Sequence, residues 1–414
     1  MSWSIKSKLK QMVRSEAGTI FKDWGGRRSM VIVYPNTYHV GMSNLGVHNV
    51  YRLANARSDI VCERAFLPEK AMLKEHERTN TPILSLESMR PLADFDVIAF
   101  SVAFENDFHN IKTFLEKRHP KIIVGGAVAT LNPKLFNGIA DEVIEGDAEK
   151  YFSPTQHLTV SPSHNTIWTP NTEFGSMHLV EIQRGCPHGC SFCAAPVIYK
   201  PFRQFPKDEI IKAIAIGLPH RKKIGLIGGD VFAHPNFSEI AEYIHSKGAT
   251  FSPSSVRADR VTDEIAALLK KSGHKTITLA PEAGSEKLRG EIGKNIPDEK
   301  FFAAAEILTR HGIKQFKLYF MIGLPGETED DLKAIKDFIR SFRRTNLQKT
   351  SISINPFVPK CGTKFEGERF AGVRDIKKKI ALIKRLLAGS GTSLKFGSPL
   401  SAEDEYRLQG FTSR

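Results

Sequence analysis

Cysteine is scarce in this sequence. The 414-residue chain has five, an odd number, so an even disulfide framework is excluded. Long apolar runs are missing too: none approaches the ~18 residues of a membrane-spanning helix. The opening MSWSIKSKLKQMVRSEAG is basic and amphipathic, without the apolar core or small-residue cleavage site of a signal peptide. Acidic residues are outnumbered, 45 Asp plus Glu against 59 Lys plus Arg, for a net charge of +14. That balance favours acidic partners: nucleic acid, acidic proteins or anionic cofactors. With 41% hydrophobic and 25% charged residues, a mainly disordered chain is excluded. We expect a cytoplasmic protein without membrane association, divided into two or three domains at roughly 150 residues each.

The N-terminal part alternates strand and helix patterns. SMVIVY (29–34), DVIAFSV (96–102), KIIVGG (121–126) and EVIEG (142–146) read as strands, with helix-like stretches at 45–55 and 109–119. This predicts an open, Rossmann-like α/β sheet over 1–155, with a ligand crevice at the carboxyl ends of its strands. Residues 156–176, rich in Ser, Thr, Pro and Asn, read as a linker. Six further strand candidates alternate with helices that start on Asp or Thr and end on Gly: 178–184, 224–229, 249–256, 275–282, 314–322 and 350–357. Six repeats instead of eight predict an incomplete (β/α)6 barrel over 177–365, its active site at the carboxyl ends of the strands. Residues 366–414 read as a short helical region whose helix at 373–388 carries the KKK run of 377–379.

Three of the cysteines fall within eight residues: Cys186-Pro-His-Gly-Cys190-Ser-Phe-Cys193. Three thiolates on one tight loop can hold three corners of an iron–sulfur cube and leave the fourth iron open. A structural zinc site wants a fourth ligand. His188 could supply one, but inside so short a loop a four-ligand cage is sterically awkward. Cys62 and Cys361 stand alone.

CxxxCxxC with an aromatic residue before the last cysteine, on the first loop of an incomplete barrel, resembles the radical S-adenosylmethionine (SAM) superfamily. Further motifs follow in strand order. Gly228-Gly229-Asp230 is similar to the GGE motif that holds the methionyl amino group, with a shorter Asp in place of Glu. Ser254 and Arg257 end the third strand, where relatives contact the methionyl part. Glu282 and Ser285, in APEAGS, resemble a ribose-contacting segment. FMIGLPGE (320–327), with Met321 and Gly323, resembles the adenine-binding GxIxGxxE motif, and Val358 ends the sixth strand near the expected adenine. The resemblance thus implies a 4Fe-4S cluster on Cys186, Cys190 and Cys193, and SAM held by these residues together with Phe192.

The first domain resembles the cobalamin-binding domain that often precedes such a barrel. The resemblance places cobalamin contacts at Asn36, Thr37, Tyr38, Met42 and Ser43, at Ser101, Val102 and Glu105, at Gly125, Gly126 and Ala127, and at Glu145 and Gly146. The usual DxHxxG is absent. Only Val40 separates His39 from Gly41, and His109 lies on another strand; both read as surface or capping residues. Cobalamin would then be bound base-off and His-off. Methylthiotransferases carry three more cysteines upstream for a second cluster; here only Cys62 lies upstream. The resemblance implies reductive cleavage of SAM by an external low-potential electron donor, hydrogen abstraction from an unactivated carbon, and methyl transfer from methylcobalamin. Within the cobalamin branch, VYPNTYHVGMSNLG, CERAF and APEAGSEKLR resemble a subgroup found widely in archaea and bacteria. The compact size is similar to that of the archaeal enzymes that C-methylate glutamine in methyl-coenzyme M reductase. A protein or peptide substrate is therefore expected. The alternatives are cobalamin-linked oxidation, cyclisation or rearrangement of a metabolite, and a nonenzymatic nucleic-acid-binding protein.

Overall fold

The structure is a computed structural model that describes residues 2–115, 120–152, 160–344 and 349–410. The end of the expected 109–119 helix, the 155 boundary and the first residues of the expected linker lie outside the described residues. Two compact units form: Met1–Glu181 with Asp208–Ile224, and Ile182–Lys207 with Gly225–Arg414.

The first unit is built on five strands: β1 (Arg28–Tyr34), β2 (Ile60–Phe66), β3 (Val97–Ser101), β4 (Lys121–Gly125) and β5 (Glu142–Val143). They form one parallel sheet in the order β2-β1-β3-β4-β5. Alternation along β1 sends Met30, Ile32 and Tyr34 into one core cluster and Val31 and Val33 into another, so both faces are covered. The order reverses at β1, which puts a switch point between the carboxyl ends of β1 and β3. The strand β2 is an addition to the expected set. It carries Glu63 and Arg64, both buried, so its sequence lacks an apolar run.

Residues 160–176 are packed, which corrects the linker expectation. Ile167 joins the core, Trp168 pairs with Ala17 through both backbone N–H groups, and His164 bridges to Val180. The helix Lys207–Gly217 belongs to this unit. It passes so close to His178 that a Cβ on Gly217 would lie 2.1 Å from the ring. The stretch Glu105–Phe114 is 3-10 helix, not α-helix.

Further strands are β6 (Met177–Glu181), β7 (Gln183–Arg184), β8 (Arg203–Gln204), β9 (Lys223–Ile227), β10 (Thr250–Pro253), β11 (Thr276–Glu282), β12 (Gln315–Ile322), β13 (Thr350–Pro356) and β14 (Ser393–Phe396). Among the described residues the six expected strands fall into two sheets, β10-β9-β6 and β11-β12-β13-β14, the second entirely parallel. The strand β14 was not expected. It adds to β13 in register Ser351↔Ser393 to Ile354↔Phe396 and is followed by a helix, Pro399–Leu408. The C-terminal region therefore continues the strand–helix alternation instead of being purely helical. No described helix is long and apolar enough to cross a membrane.

Candidate active site

The short strand β7 ends at Gly185, whose φ of 84° and tight packing (an added Cβ would lie 2.7 Å from the Tyr199 carbonyl) suit glycine alone. The chain turns there into the cysteine loop. Its centre is braced from two sides: Ser191 N–H donates to the Ile292 carbonyl (2.8 Å), and its own carbonyl accepts from Phe365 N–H (3.2 Å). Gly293, at φ 73°, passes so close that a Cβ would lie 2.9 Å from the Gly189 carbonyl. The three thiols are partly buried and burial pushes each of them up from the ordinary cysteine range. At Cys190 the Lys294 ammonium works against that rise. Among the described residues no three His, Cys, Asp or Glu side chains converge on a single metal ion. His188, the candidate fourth zinc ligand, is hydrogen-bonded to Asp230 instead (2.7 Å). Three thiols spread along a braced loop suit separate corners of a cluster.

The end of β9 meets this loop. A Cβ on Gly229 would lie 2.9 Å from the Cβ of Cys186, and one on Gly228 would enter the Gln183 side chain. Gly228 N–H donates to the Ser254 hydroxyl, and the Ser254 and Ser255 hydroxyls donate to the Gly228 carbonyl, each at 3.0 Å. Asp230 is 1% exposed. Its Oδ2 takes the His188 bond and has Arg260 at 3.6 Å and Arg257 at 3.8 Å. Its Oδ1 is buried without a partner. Such an orphaned acceptor calls for a ligand or water.

The end of β11 is irregular. The pairing with β12 shifts between Leu279 and Glu282, and Glu282 has φ 69°. A glutamate in that region is strained, a recurrent mark of functional sites. Lys294 donates to its Oε1 at 2.8 Å. Ser285 caps the helix Glu286–Glu291 by accepting from Leu288 N–H, and its hydroxyl donates to Asp331. Arg289, 1% exposed, reaches back to the carbonyls of Ala283 (2.8 Å) and Ile296 (3.1 Å) and pairs with Asp298.

Phe192 and Met321 pack with Phe365 against Ala283, Leu288, Ile292, Leu324 and Phe357, so these two expected SAM neighbours share one apolar cluster. Gly323, at φ 81°, donates its N–H to Glu327 (3.0 Å). Burial pushes the Glu327 carboxyl up, and its pairing with Lys379 opposes that rise. Val358 lies apart, packed with Ala402 and Tyr406. Cys361 is buried and its N–H donates to Gln409; Tyr199 is half-exposed. Sequence reading missed Lys294, Arg289, Lys379 and the His188–Asp230 bond. Arg289 and Lys379 lie in stretches noted for other reasons, APEAGSEKLR and the KKK run, Lys294 lies in no motif, and the bond spans 42 positions.

In the first unit the switch point gathers Asn36 and Asp107. Asn36 Nδ2 donates to Asp107 Oδ1 (2.7 Å), and Asn36 Oδ1 accepts from Thr37 N–H. Asp107 Oδ2 is buried and unpartnered, and burial pushes the carboxyl up to about 6. Phe104 beside it is 57% exposed, while Glu105 is buried. Ser101, Gly125, Gly126 and Ala127 follow along neighbouring strand ends. Gly126, at φ 102°, packs so closely that a Cβ would lie 2.6 Å from the Val102 carbonyl. Gly146 N–H donates to Thr130, and Glu145 is exposed.

Three expected contacts are corrected. Tyr38 is buried with its hydroxyl donating to Glu16 (2.6 Å), Met42 is buried with its sulfur 3.4 Å from Arg64, and Val102 is core. The helix Tyr38–Gly41 turns the first two inward. Ser43 Oγ is engaged by the His39 carbonyl and Glu173 N–H. His39 pairs with Asn171 and Glu173, and His109 is exposed. Cys62 is 1% exposed in the core.

Residues 180–339 match the radical SAM superfamily, and residues 46–167 match the N-terminal region of radical SAM proteins. An uncharacterized protein of Methanocaldococcus jannaschii is 30% identical over 89% of this chain and 85% of its own length. A tRNA-2-methylthio-N(6)-dimethylallyladenosine synthase of Pelagibacter ubique is 24% identical, covering 61% of this chain and 65% of the relative. The fold is similar to the cobalamin-dependent SAM radical enzyme OxsB, solved with aqua-cobalamin and SAM bound. The TM-score is 0.52 at 14% identity, over 75% of this chain and 52% of that one, so this chain spans about half the length of the solved enzyme. The braced three-cysteine loop, the strand-end motifs behind it and these matches lead to one conclusion: the chain belongs to the radical SAM superfamily, with an N-terminal parallel-sheet unit ahead of its radical SAM domain.

Proposed function

We propose that this protein is a cobalamin-dependent radical SAM methyltransferase. It acts on an unactivated carbon of a protein, with the Cα of a glutamine of methyl-coenzyme M reductase as substrate. The observation that carries the reading is the pairing of a cluster-type cysteine loop with a buried, half-satisfied carboxylate beside it, Asp230. The residues present fit the cofactors: Cys186, Cys190 and Cys193 would hold a 4Fe-4S cluster; Asp230, Glu282 and the Phe192–Met321 cluster would hold SAM. The fit for base-off, His-off cobalamin rests on the switch point, where Asp107 Oδ2 lacks a partner and Phe104 is exposed, while His39 is engaged by Asn171 and Glu173. When bound, these groups supply a carbon-centred radical able to take hydrogen from substrate and a methyl donor to quench the radical formed there. The chain's own residues bind, orient and exclude water. Asp230 offers one oxygen to an ammonium group, Glu282 offers an acceptor in a preset backbone turn, and Phe192, Met321, Phe357 and Phe365 keep the site apolar. A low-potential electron donor comes from outside.

The protein substrate is supported by the net charge of +14, which draws acidic flanks. The likeness to an enzyme named for tRNA modification favours a second reading, an RNA substrate. One experiment separates the readings. Anaerobically reconstituted protein, with SAM, cobalamin and a strong reductant, should add one methyl group to carbon in a glutamine-containing peptide of methyl-coenzyme M reductase, less well as salt rises. It should hold about four irons per chain, and the Cys186→Ala/Cys190→Ala/Cys193→Ala variant should hold none. A methylated tRNA with an untouched peptide selects the RNA reading. An oxidised or rearranged product without added methyl rejects methyl transfer. Iron retained in the triple variant rejects the cluster assignment.

A further inference from the structure

His188 occupies the middle of the spacer between Cys186 and Cys190, yet it faces away from metal-ligand duty. Its Nε2 is 2.7 Å from Asp230 Oδ2, its side chain is 23% exposed, and that of Asp230 is 1% exposed. The two oxygens of Asp230 are therefore unequal. Oδ2 faces His188, with the guanidinium groups of Arg260 and Arg257 beyond hydrogen-bond range at 3.6 and 3.8 Å. Oδ1 is buried with nothing to accept from. A carboxylate on one methylene can swing about χ1 and χ2 unless something holds it. Arg257 does not, because its own forked pair goes to Asp259 (3.1 and 2.9 Å). Close packing of Gly229 on Cys186 then fixes how near Asp230 lies to the cysteine loop.

We propose that His188 is a positioning residue for SAM binding: its Nε2–H fixes Asp230 through Oδ2, so that Oδ1 is presented to the methionyl ammonium. The inference rests on the radical SAM reading of the site. It adds that folding of the cluster loop and binding of SAM are coupled through this single hydrogen bond. The bond takes the place of the reach that a glutamate would have had at position 230.

The test uses the full-length, anaerobically reconstituted protein, with iron content, SAM affinity by equilibrium dialysis and the effect of SAM on the EPR spectrum of the reduced cluster as readouts. His188→Ala should keep about four irons per chain and weaken SAM binding by about tenfold, the loss expected for one charge-assisted hydrogen bond. SAM should perturb its EPR spectrum less than in the unsubstituted protein. His188→Gln, whose amide N–H can still donate, should recover most of the affinity. In an Asp230→Ala background, His188→Ala should cost nothing further. Unchanged SAM affinity in His188→Ala overturns the proposal, and so does loss of iron, which would make His188 a loop-folding residue or a ligand. Equal losses in His188→Ala and His188→Gln also overturn it. If the unsubstituted protein binds iron but no SAM, the reading of the site itself fails, a result none of the variants can mimic.

Discussion

The two units bury an arginine in opposite ways. In the first, Arg64 lies between two carboxylates: Nε donates to Glu87 (2.7 Å), and NH1 and NH2 donate to Glu16 (2.9 and 2.7 Å). That setting holds its guanidinium well above the ordinary arginine range, although burial alone would lower it. In the second, Arg289 spends its donors mainly on backbone carbonyls around the 283–296 turns, and burial pulls it down to about 10. The first arrangement ties side chains together. The second shapes the backbone on either side of Ser285, through the Ala283 and Ile296 carbonyls. Buried charge thus ties core side chains together in one unit and holds a turn of the candidate site in the other.

Substitution should separate the two uses. Arg64→Met strands Glu16 and Glu87 and should cost about 3–5 kcal/mol in urea unfolding of the first unit. Arg289→Met leaves carbonyls unpaired and should cost about 1–3 kcal/mol, while SAM affinity falls by more than stability does. If Arg64→Met is the milder change, or Arg289→Met leaves SAM affinity intact, the contrast is wrong.

A second difference concerns acid. The first unit buries His48 and His178 as neutral rings with both nitrogens in use. His178 Nε2–H donates to the Ala213 carbonyl and its Nδ1 accepts from the Trp168 indole; His48 donates to the Met42 carbonyl and accepts from Thr166 N–H. Burial pushes both down to about 4 from an ordinary 6.5. Between those values the unfolded chain binds more protons than the folded one. Stability is therefore complete above pH 6.5 and falls progressively toward pH 4, by up to about 3 kcal/mol for each ring. Trp168, stacked on His220 at 3.8 Å, reports on this unit by fluorescence. Its unfolding midpoint in urea should drop with pH over this range, and a flat profile would remove the argument.

The smallest expected effect comes from Asp107. Its carboxyl is raised to about 6, mainly by burial, so the protonated form is the better folded one and stability is lost as pH rises from about 4 through 6. Asp107→Asn keeps the acceptor for Asn36 and removes the charge. It should gain about 1 kcal/mol at pH 8 and nothing at pH 4.

Much of the second unit was legible because its chemistry is local. The cysteine loop, Gly228-Gly229, Ser285 and Gly323 all sit where short spacing or a forced turn fixes them. Pairs brought together across the chain were not legible. The strand β2 reads as polar because Arg64 and Glu63 interrupt it, and its burial depends on Glu16 and Glu87 far away. Residues 160–176 read as a connector because Trp168 and Ile167 show no periodicity, yet each finds a distant partner. The resemblance to a cobalamin-binding domain places Tyr38 and Met42 in the crevice beside Asn36. A single helical turn points them the other way.

The strand β14 and the helices around it carry a consequence for biosynthesis. Lys379 completes the environment of Glu327 behind Gly323, and Gln409 receives the Cys361 N–H. Ribosomes make both residues long after Cys186, Cys190 and Cys193 have emerged. A nascent chain can therefore show its thiols well before the Gly323–Glu327 turn and the Cys361 loop are supported. Under the proposed function, translation makes the cluster ligands first and the last supports of the nucleoside side at the end.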